Sequence, residues 1–206
     1  MVKTNHFRSL ALLALLCALA FPAMAQKVAI KHNLLQDILP SPNIALEVGV
    51  APQWTVDAQV NANFFLYGKD ATASNYSTKK VSHWMVQPEV RYWTCEAFNG
   101  LFFGLHGIAG QANVAGYNIP FVSLNPKPTT MAENRYEGAF YGAGISVGYQ
   151  WLLSKYFSVE AGVGVGYITG NYNQFKCIAC GEKTGTGKAN YIGPTKAAIS
   201  LVYMIR

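Results

Sequence analysis

The sequence predicts an all-β protein: an eight-stranded antiparallel transmembrane β-barrel of the outer-membrane type that follows a cleaved signal peptide. Three observations lead to this prediction. The chain begins with an export signal, it continues with eight segments in which apolar and polar residues alternate, and the connections between these segments are alternately short and long. A transmembrane strand turns one face to lipid and the other inward, so alternation with a period of two is the pattern that a membrane barrel requires.

The first 25 residues have the three parts of a signal peptide. Lys3 and Arg8 supply the basic start, residues 10–20 form an apolar run, and Ala23-Met24-Ala25 has the small residues that signal peptidase accepts. The apolar run is shorter than the roughly 20 residues that a membrane-spanning helix needs. We therefore expect cleavage after Ala25, and we expect residues 26–206 to form a single barrel domain.

Eight segments of the remaining chain alternate between apolar and polar residues. In the seventh of them, for example, Phe157 and Val163 belong to an apolar face, whereas Glu160 and three glycines belong to the other face. Most of the segments are longer than the usual strand of five or six residues in soluble proteins. We predict strands over residues 28–39, 43–50, 54–66, 84–92, 101–109, 141–151, 157–167 and 191–205.

The connections fix the orientation of the predicted barrel. Those after the second, fourth and sixth strands are short, whereas those after the third, fifth and seventh are long and cover residues 67–83, 116–135 and 170–189. Outer-membrane barrels have short periplasmic turns and long external loops, and an even number of strands returns both termini to the periplasm. We therefore predict a multi-pass protein of the Gram-negative cell outer membrane with periplasmic N- and C-termini.

Strand parity places a set of charged side chains inside the barrel. A lysine or arginine that faces lipid at mid-membrane costs about 2–4 kcal/mol, so these side chains are expected to point inward. Charges removed from bulk water need partners, which favours a structural network of ion pairs. The alternative is a gated path for protons or small ions. The predicted network consists of Lys31, Glu47, Asp57, Glu89, Arg91, Glu160 and Lys196.

The sequence offers little support for catalysis or for a cofactor. Ser82 and His83 are the best candidates for a nucleophile and its base, but adjacent residues of a strand point to opposite faces. The glycine patterns of residues 142–148 and 162–166 resemble phosphate-binding loops, yet neither is followed by a helix. We therefore expect no catalytic residue, no cofactor and no metal.

The cysteines of the mature chain suggest one disulfide. Cys177 and Cys180 have the C-x-x-C spacing of a disulfide, a redox pair or half of a metal site. A zinc site would need two further ligands, which are not close in sequence. In an exported loop the disulfide is favoured. Cys95 belongs to a predicted periplasmic turn, a membrane thickness away, and is expected to be free.

Lysines concentrate in the predicted external loops. Cationic groups just outside a bilayer favour anionic head groups, here the phosphates of lipopolysaccharide. The alternative is a set of solvated lysines that keep the loops soluble. Nucleic acid is an unsuitable partner because no basic platform with interleaved aromatic residues accompanies the charge. The predicted contacts are Lys69, Lys79, Lys80, Lys176, Lys183 and Lys188.

Several motifs in fixed order resemble a known family. They include Lys31-x-Asn33-Leu34-Leu35, Gln87-Pro88-Glu89-x-Arg91-Tyr92-Trp93, Gly148-Tyr149-Gln150 and Asn190-Tyr191-x-Gly193-Pro194-Thr195-Lys196. Together they resemble an uncharacterised domain-of-unknown-function family of small exported Bacteroidetes proteins, over nearly all of the mature chain. The resemblance implies an outer-membrane β-barrel, and it implies no activity, ligand or catalytic residue.

These observations favour a non-enzymatic envelope protein with a structural or surface-interaction role. Its expected partners are outer-membrane lipid, lipopolysaccharide and other envelope proteins. Two alternatives remain open at this point: a narrow solute or ion pore, and a lipid-modifying outer-membrane enzyme.

The cysteine assignment can be tested by thiol labelling. An electrophilic reagent is expected to label Cys95 in the folded, oxidised protein and to label Cys177 and Cys180 only after reduction, as measured by mass spectrometry of the labelled peptides. Labelling of Cys177 and Cys180 without reduction, together with a blocked Cys95, would contradict both the disulfide and the predicted topology.

Overall fold

The structure, a computed structural model, describes residues 27–38, 41–64, 80–116, 122–125, 134–175 and 182–205. These residues form strands almost throughout, together with a single turn of helix. Within the same ranges, no helix has the length and apolar character needed to cross a membrane. The predicted signal peptide, residues 1–25, lies outside the described residues.

Nine strands and one short helix follow one another along the chain. In order they are β1 (Val28–Asn33), α1 (Leu34–Asp37), β2 (Asn43–Ala51), β3 (Trp54–Asn63), β4 (Lys80–Trp93), β5 (Gly100–Ala115), β6 (Val122–Asn125), β7 (Arg135–Leu152), β8 (Phe157–Phe175) and β9 (Lys183–Ile205).

Eight of the strands form a closed antiparallel ring. The order around it is β1-β2-β3-β4-β5-β7-β8-β9, and β9 pairs back with β1 from Val28↔Ile205 to Asn33↔Ser200. The prediction of an all-β chain with eight antiparallel strands is therefore confirmed. We call the end with the short connections the turn end and the opposite end the loop end.

The first predicted strand, residues 28–39, is wrong beyond Asn33. There the chain enters α1, because the Asn33 side chain accepts a hydrogen bond from the backbone N–H of Leu35 at 3.1 Å. Asparagine is among the residues best suited to begin a helix in this way. As a result β1 covers only six residues at the turn end.

The later strands reach further toward the loop end than predicted. β8 continues to Phe175 and β9 begins at Lys183, so much of the predicted third loop is paired strand, with partners such as Tyr172↔Gly187. Lys183 and Lys188 therefore lie in β9, and Lys80 is the first residue of β4. The prediction that these three lysines lie in loops was wrong. The strands lose their apolar outer face toward the loop end, but their backbone pairing continues.

The strands are inclined to the axis of the ring. Val28 of β1 pairs directly with Ile205 of β9. Following the paired residues the other way around the ring leads instead to Pro194 of β9, eleven residues before Ile205. The successive partners on this path are Val28, Val48, Val56, Val90, Leu105, Ile145, Val165 and Pro194. One residue of this offset belongs to the register shift in β9 opposite Gly164 and Val165. Such an offset requires tilted strands. The strands β1–β3 are short and the strands β7–β9 are long, so the ring extends further toward the loop end on the side of β7–β9.

An apolar cluster closes the interior at the turn end. Trp93 is fully buried, its ring lies 4.8 Å from that of Phe102, and its indole N–H donates to the Thr55 hydroxyl at 2.9 Å. Phe98 joins this cluster from the turn after β4, whose Ala97 N–H donates to the carbonyl of Pro52 at 2.8 Å. The interior therefore has an apolar floor.

Glycines on the inner face make room for large neighbours. A Cβ atom at Gly104 would collide with the Glu89 carboxylate and the Ser146 hydroxyl, and one at Gly164 would come within 3.0 Å of the His106 ring. Gly162 differs, because its nearest neighbour would be the carbonyl oxygen of Val147 at 3.5 Å. Steric crowding therefore requires glycine at only some of the inward positions.

The substitution Gly104→Ala is expected to lower the free energy of unfolding by about 1–3 kcal/mol, the usual cost of overpacking. The Glu89 carboxylate cannot withdraw because Arg91, Lys196 and Ser146 hold it. The measurement is urea unfolding in detergent micelles, followed by tryptophan fluorescence.

Gly162→Ala is the matched control and should leave the unfolding midpoint unchanged or slightly higher, because its Cβ atom makes ordinary contacts only. Equal destabilisation by the two substitutions would contradict the steric account.

Candidate functional site

A layer of seven ionisable side chains lies above the apolar floor; we call it the charged layer. Its members come from six strands, and each of them is buried. Strand parity predicts this inward set, and the structure brings all seven residues together. The layer consists of Lys31, Glu47, Asp57, Glu89, Arg91, Glu160 and Lys196.

Arg91 is the centre of the charged layer. Its Nε donates to Glu89 Oε2 at 2.9 Å, and one terminal nitrogen donates to Glu160 Oε2 at 2.8 Å and to Glu47 Oε2 at 3.1 Å. The guanidinium group also lies 4.4 Å from the centroid of the Phe102 ring, which belongs to the floor. Arginine suits this position because its planar group offers five donors at once.

Two lysines are the other cations of the charged layer. Lys31 Nζ lies 2.6 Å from Glu47, 3.0 Å from Asp57 and 3.1 Å from Glu160, and Lys196 forms an ion pair with Glu89. The layer thus holds four carboxylates and three cations. Hydroxyl groups supply further donors, since Thr55 donates to Glu47 and Ser146 donates to Glu89.

The charged layer fills the ring at its level. The space beside Lys31, Asp57, Arg91 and Glu160 measures about 10 Å³. A volume of this size holds about one water molecule.

Neutral polar groups lie around the charged layer on the loop-end side. His106 Nε2 is 2.9 Å from the Thr195 hydroxyl, and Gln59 Nε2 donates to Gln36 Oε1 at 2.9 Å. Gln36 belongs to α1, which therefore reaches over the low side of the ring. The helix that the strand prediction missed helps to close the interior.

An apolar cavity of about 580 Å³ lies beyond these polar groups, toward the loop end. None of the described residues that line it is charged. Its walls come from β4, β5, β6, β7, β8 and β9. The side chains that form it include Met85, Ile108, Val122, Leu124, Phe140, Ile168, Tyr172 and Tyr191.

β6 forms the side of this cavity where β1 has ended. It pairs with the upper part of β9 through Val122↔Tyr191 and Leu124↔Ala189, and Leu124 is buried. The sequence analysis missed both the strand and the cavity. A signal was present, because Ile108, Phe140 and Ile168 stand at inward positions of their strands and are apolar.

The remaining predicted residues are not brought into one site. Ser82 and His83 are consecutive residues of β4, paired with Asn113 and Ala112, so their side chains alternate between the two faces of the strand. Both residues border a space of about 310 Å³ that Glu137 also lines, and no hydrogen bond or ion pair joins Ser82, His83 and Glu137 in the described structure. Cys95 is exposed and free at the turn end. In the described part of the chain, no group of three or more His, Cys, Asp or Glu side chains could hold a metal ion.

Several predicted contacts cannot be placed. Lys69, Lys79, Lys176, Cys177 and Cys180 lie outside the described residues. Lys183 and Lys188 are exposed on β9 toward the loop end.

Removing the cation at the centre of the charged layer is expected to be costly. Arg91→Ala leaves Glu47, Glu89 and Glu160 with one cationic partner fewer, and breaking a buried pair on one side costs about 3–5 kcal/mol in the free energy of unfolding. Urea unfolding in detergent measures this change.

Lys27→Ala is the control because it removes the cation of an exposed pair, Lys27 with Glu96 at 3.8 Å, and exposed pairs contribute less than about 1 kcal/mol. If Arg91→Ala cost no more than Lys27→Ala, the charged layer would not be stabilising the ring.

Comparison with known proteins gives a single match. No curated protein and no solved structure matches the chain. The model of the family described as "Protein of unknown function (DUF3575)" matches residues 11–205, which is almost the entire chain. The chain therefore belongs to the DUF3575 family.

Proposed function

We propose that this protein is a closed eight-stranded β-barrel of the Gram-negative outer membrane, with a non-enzymatic structural or surface-interaction role in the envelope. The observation that carries the proposal is an inverted distribution of polarity. Seven charged side chains are buried inside the ring, and its outer face at the same level is apolar and exposed.

The outer face fits lipid better than water. Leu105, Ile145, Val163 and Val165 are each more than half exposed, and similar side chains surround the ring. Soluble proteins rarely expose a continuous apolar surface larger than a few hundred Å². In the described part of the chain, charged residues outside the charged layer lie at strand ends, in turns, in α1 or in the loop-end parts of β4, β7 and β9.

Aromatic pairs support the placement of the turn end at the periplasmic interface. Trp54 lies 5.1 Å from Tyr92 and Tyr149 lies 4.8 Å from Trp151, measured between ring centroids, and all four rings are exposed near the turn end. Tryptophan and tyrosine concentrate at the two membrane interfaces. In this orientation the loop end faces the cell exterior and both termini lie in the periplasm.

Exposed lysines near the loop end are the chemical basis of the proposed surface interaction. Lys183 and Lys188 are exposed on β9 toward the exterior in this orientation. Cationic side chains at that level favour the phosphate groups of lipopolysaccharide. We propose that they act together with Lys69, Lys79, Lys80 and Lys176, and that lipopolysaccharide and other envelope proteins are the partners.

The small space beside the charged layer, which holds about one water molecule, supports a structural role over that of a pore. The alternation of Ser82 and His83 between the two faces of β4 supports a non-enzymatic role over that of a lipid-modifying enzyme.

One preparation tests the proposal. Protein purified in mild detergent from the outer-membrane fraction is expected to run at a different position on a gel before and after heating, and to carry lipopolysaccharide. In a planar bilayer it should give no steady conductance, because the charged layer is closed.

Three results would contradict the proposal. Recovery of the folded protein in the soluble fraction would exclude the membrane placement. A steady conductance that changes with Glu89→Gln or Arg91→Ala would favour the pore, and an altered lipid A mass profile on deletion would favour the enzyme.

A further inference from the structure

A barrel with a purely structural role does not need the apolar cavity. The charged layer and the apolar floor already fill the interior toward the turn end. Beyond them the ring widens into about 580 Å³ of space, within the range of about 300–1,000 Å³ found for small-molecule sites. Natural interiors are otherwise packed with few voids larger than a water molecule.

The lining of the cavity selects an uncharged, apolar guest. Ile108, Phe140, Ile168 and Leu124 contribute hydrocarbon surface from four different strands. Some polar side chains of lining residues already have partners, since Thr195 bonds to His106 and the Tyr191 hydroxyl donates to the carbonyl of Pro194. A charged head group would find no opposite charge inside.

The length of the cavity matches a chain better than a compact molecule. Its lining on β5 extends from Ile108 to Val114, which at about 3.3 Å per residue is roughly 20 Å along the strand. One leaflet of a bilayer has a hydrocarbon thickness of about 15 Å, half of the roughly 30 Å core. An acyl chain of ordinary membrane length is therefore of the right size.

Among the described residues, one stretch of the β9 edge beside the cavity has no strand partner, and we call this unpaired stretch the opening. β1 leaves β9 at Ser200 and β6 joins it at Tyr191, and among the described residues no strand pairs with that edge of β9 in between. The Asn33 side chain bonds to Ala197 and Ile199, which leaves the edge from Ile192 to Lys196. Pro194 and Thr195, within this edge, line the cavity.

Apolar side chains surround the opening on the outside of the ring. Ile192 is 74% exposed, and Leu34 and Ile38, from α1 and its C-terminal end, are 49% and 75% exposed. The opening is thus continuous with the apolar outer face.

We propose that the cavity binds one unbranched acyl chain of a membrane amphiphile, which enters sideways between β6 and the end of β1. The head group remains outside, because the lining offers it no partner. The route rests on the proposed membrane placement. The charged layer forms the bottom of the site and stops the chain from passing further.

Photochemical labelling tests this proposal. The full-length mature protein is reconstituted into vesicles of phosphatidylethanolamine and phosphatidylglycerol that contain a diazirine-bearing palmitoyl chain, either as the free acid or within phosphatidylethanolamine. Labelled residues are identified by mass spectrometry. Labelling is expected at the inward residues Ile108, Phe140 and Ile168, in addition to outward residues such as Ile145 and Val165.

Variants that fill the cavity provide the matched comparison. Ala189→Trp, and independently Ala112→Phe, place bulk in the cavity and should abolish inward labelling while outward labelling persists. Ala197→Trp adds the same bulk on the exposed face of β9 and should change neither. Heat-modifiable gel mobility shows that each variant is folded.

The possible outcomes separate this proposal from the membrane placement. Inward labelling by either probe supports it and identifies free acid or phospholipid as the source of the chain. Outward labelling alone, in folded protein, would overturn the acyl-chain site and leave the membrane barrel intact. A folded protein that neither probe labels at any residue would overturn the membrane placement, and with it the proposed route.

Discussion

Compensation of charge inside the ring is the constraint on which the rest of the structure depends. Four carboxylates and three cations lie out of contact with water, and each carboxylate is close to at least one cation. Buried charges are tolerated only when they are paired and hydrogen-bonded. Because Arg91 contacts groups from β2, β3, β4 and β8, the same interactions that neutralise charge also hold distant strands in register.

The volume available inside the ring and the polarity of its two faces both follow from this constraint. The long charged side chains need volume, which glycines such as Gly104 and Gly164 supply on facing strands. With the charges inside, the apolar residues of the strands face outward, as the proposed membrane placement requires. The ring closes where β1 pairs with β9 from Val28↔Ile205 to Asn33↔Ser200, and the proposed membrane span requires backbone groups to be paired in this way.

Period-two parity was sufficient to predict the inward charges, because a residue's face follows directly from its place in a strand. It was insufficient at Asn33, where a local side-chain cap starts α1. The sequence analysis missed the cavity because its formation depends on how the strands are shifted relative to one another around the tilted ring. Ile108, Phe140 and Ile168 come together only through the register of β5, β7 and β8. β6 was missed because its partner, the upper edge of β9, is free only where β1 has ended.

The inverted polarity is tested most directly by fluorescence quenching in bilayers of brominated phospholipid. Trp54 and Trp151 are 45% and 49% exposed on the outer face, whereas Trp93 is fully buried inside the ring. In variants that retain one tryptophan each, with phenylalanine at the other positions, bromine on the acyl chains is expected to quench Trp54 and Trp151 strongly and Trp93 weakly. Equal quenching of all three, or stronger quenching of Trp93, would contradict the account.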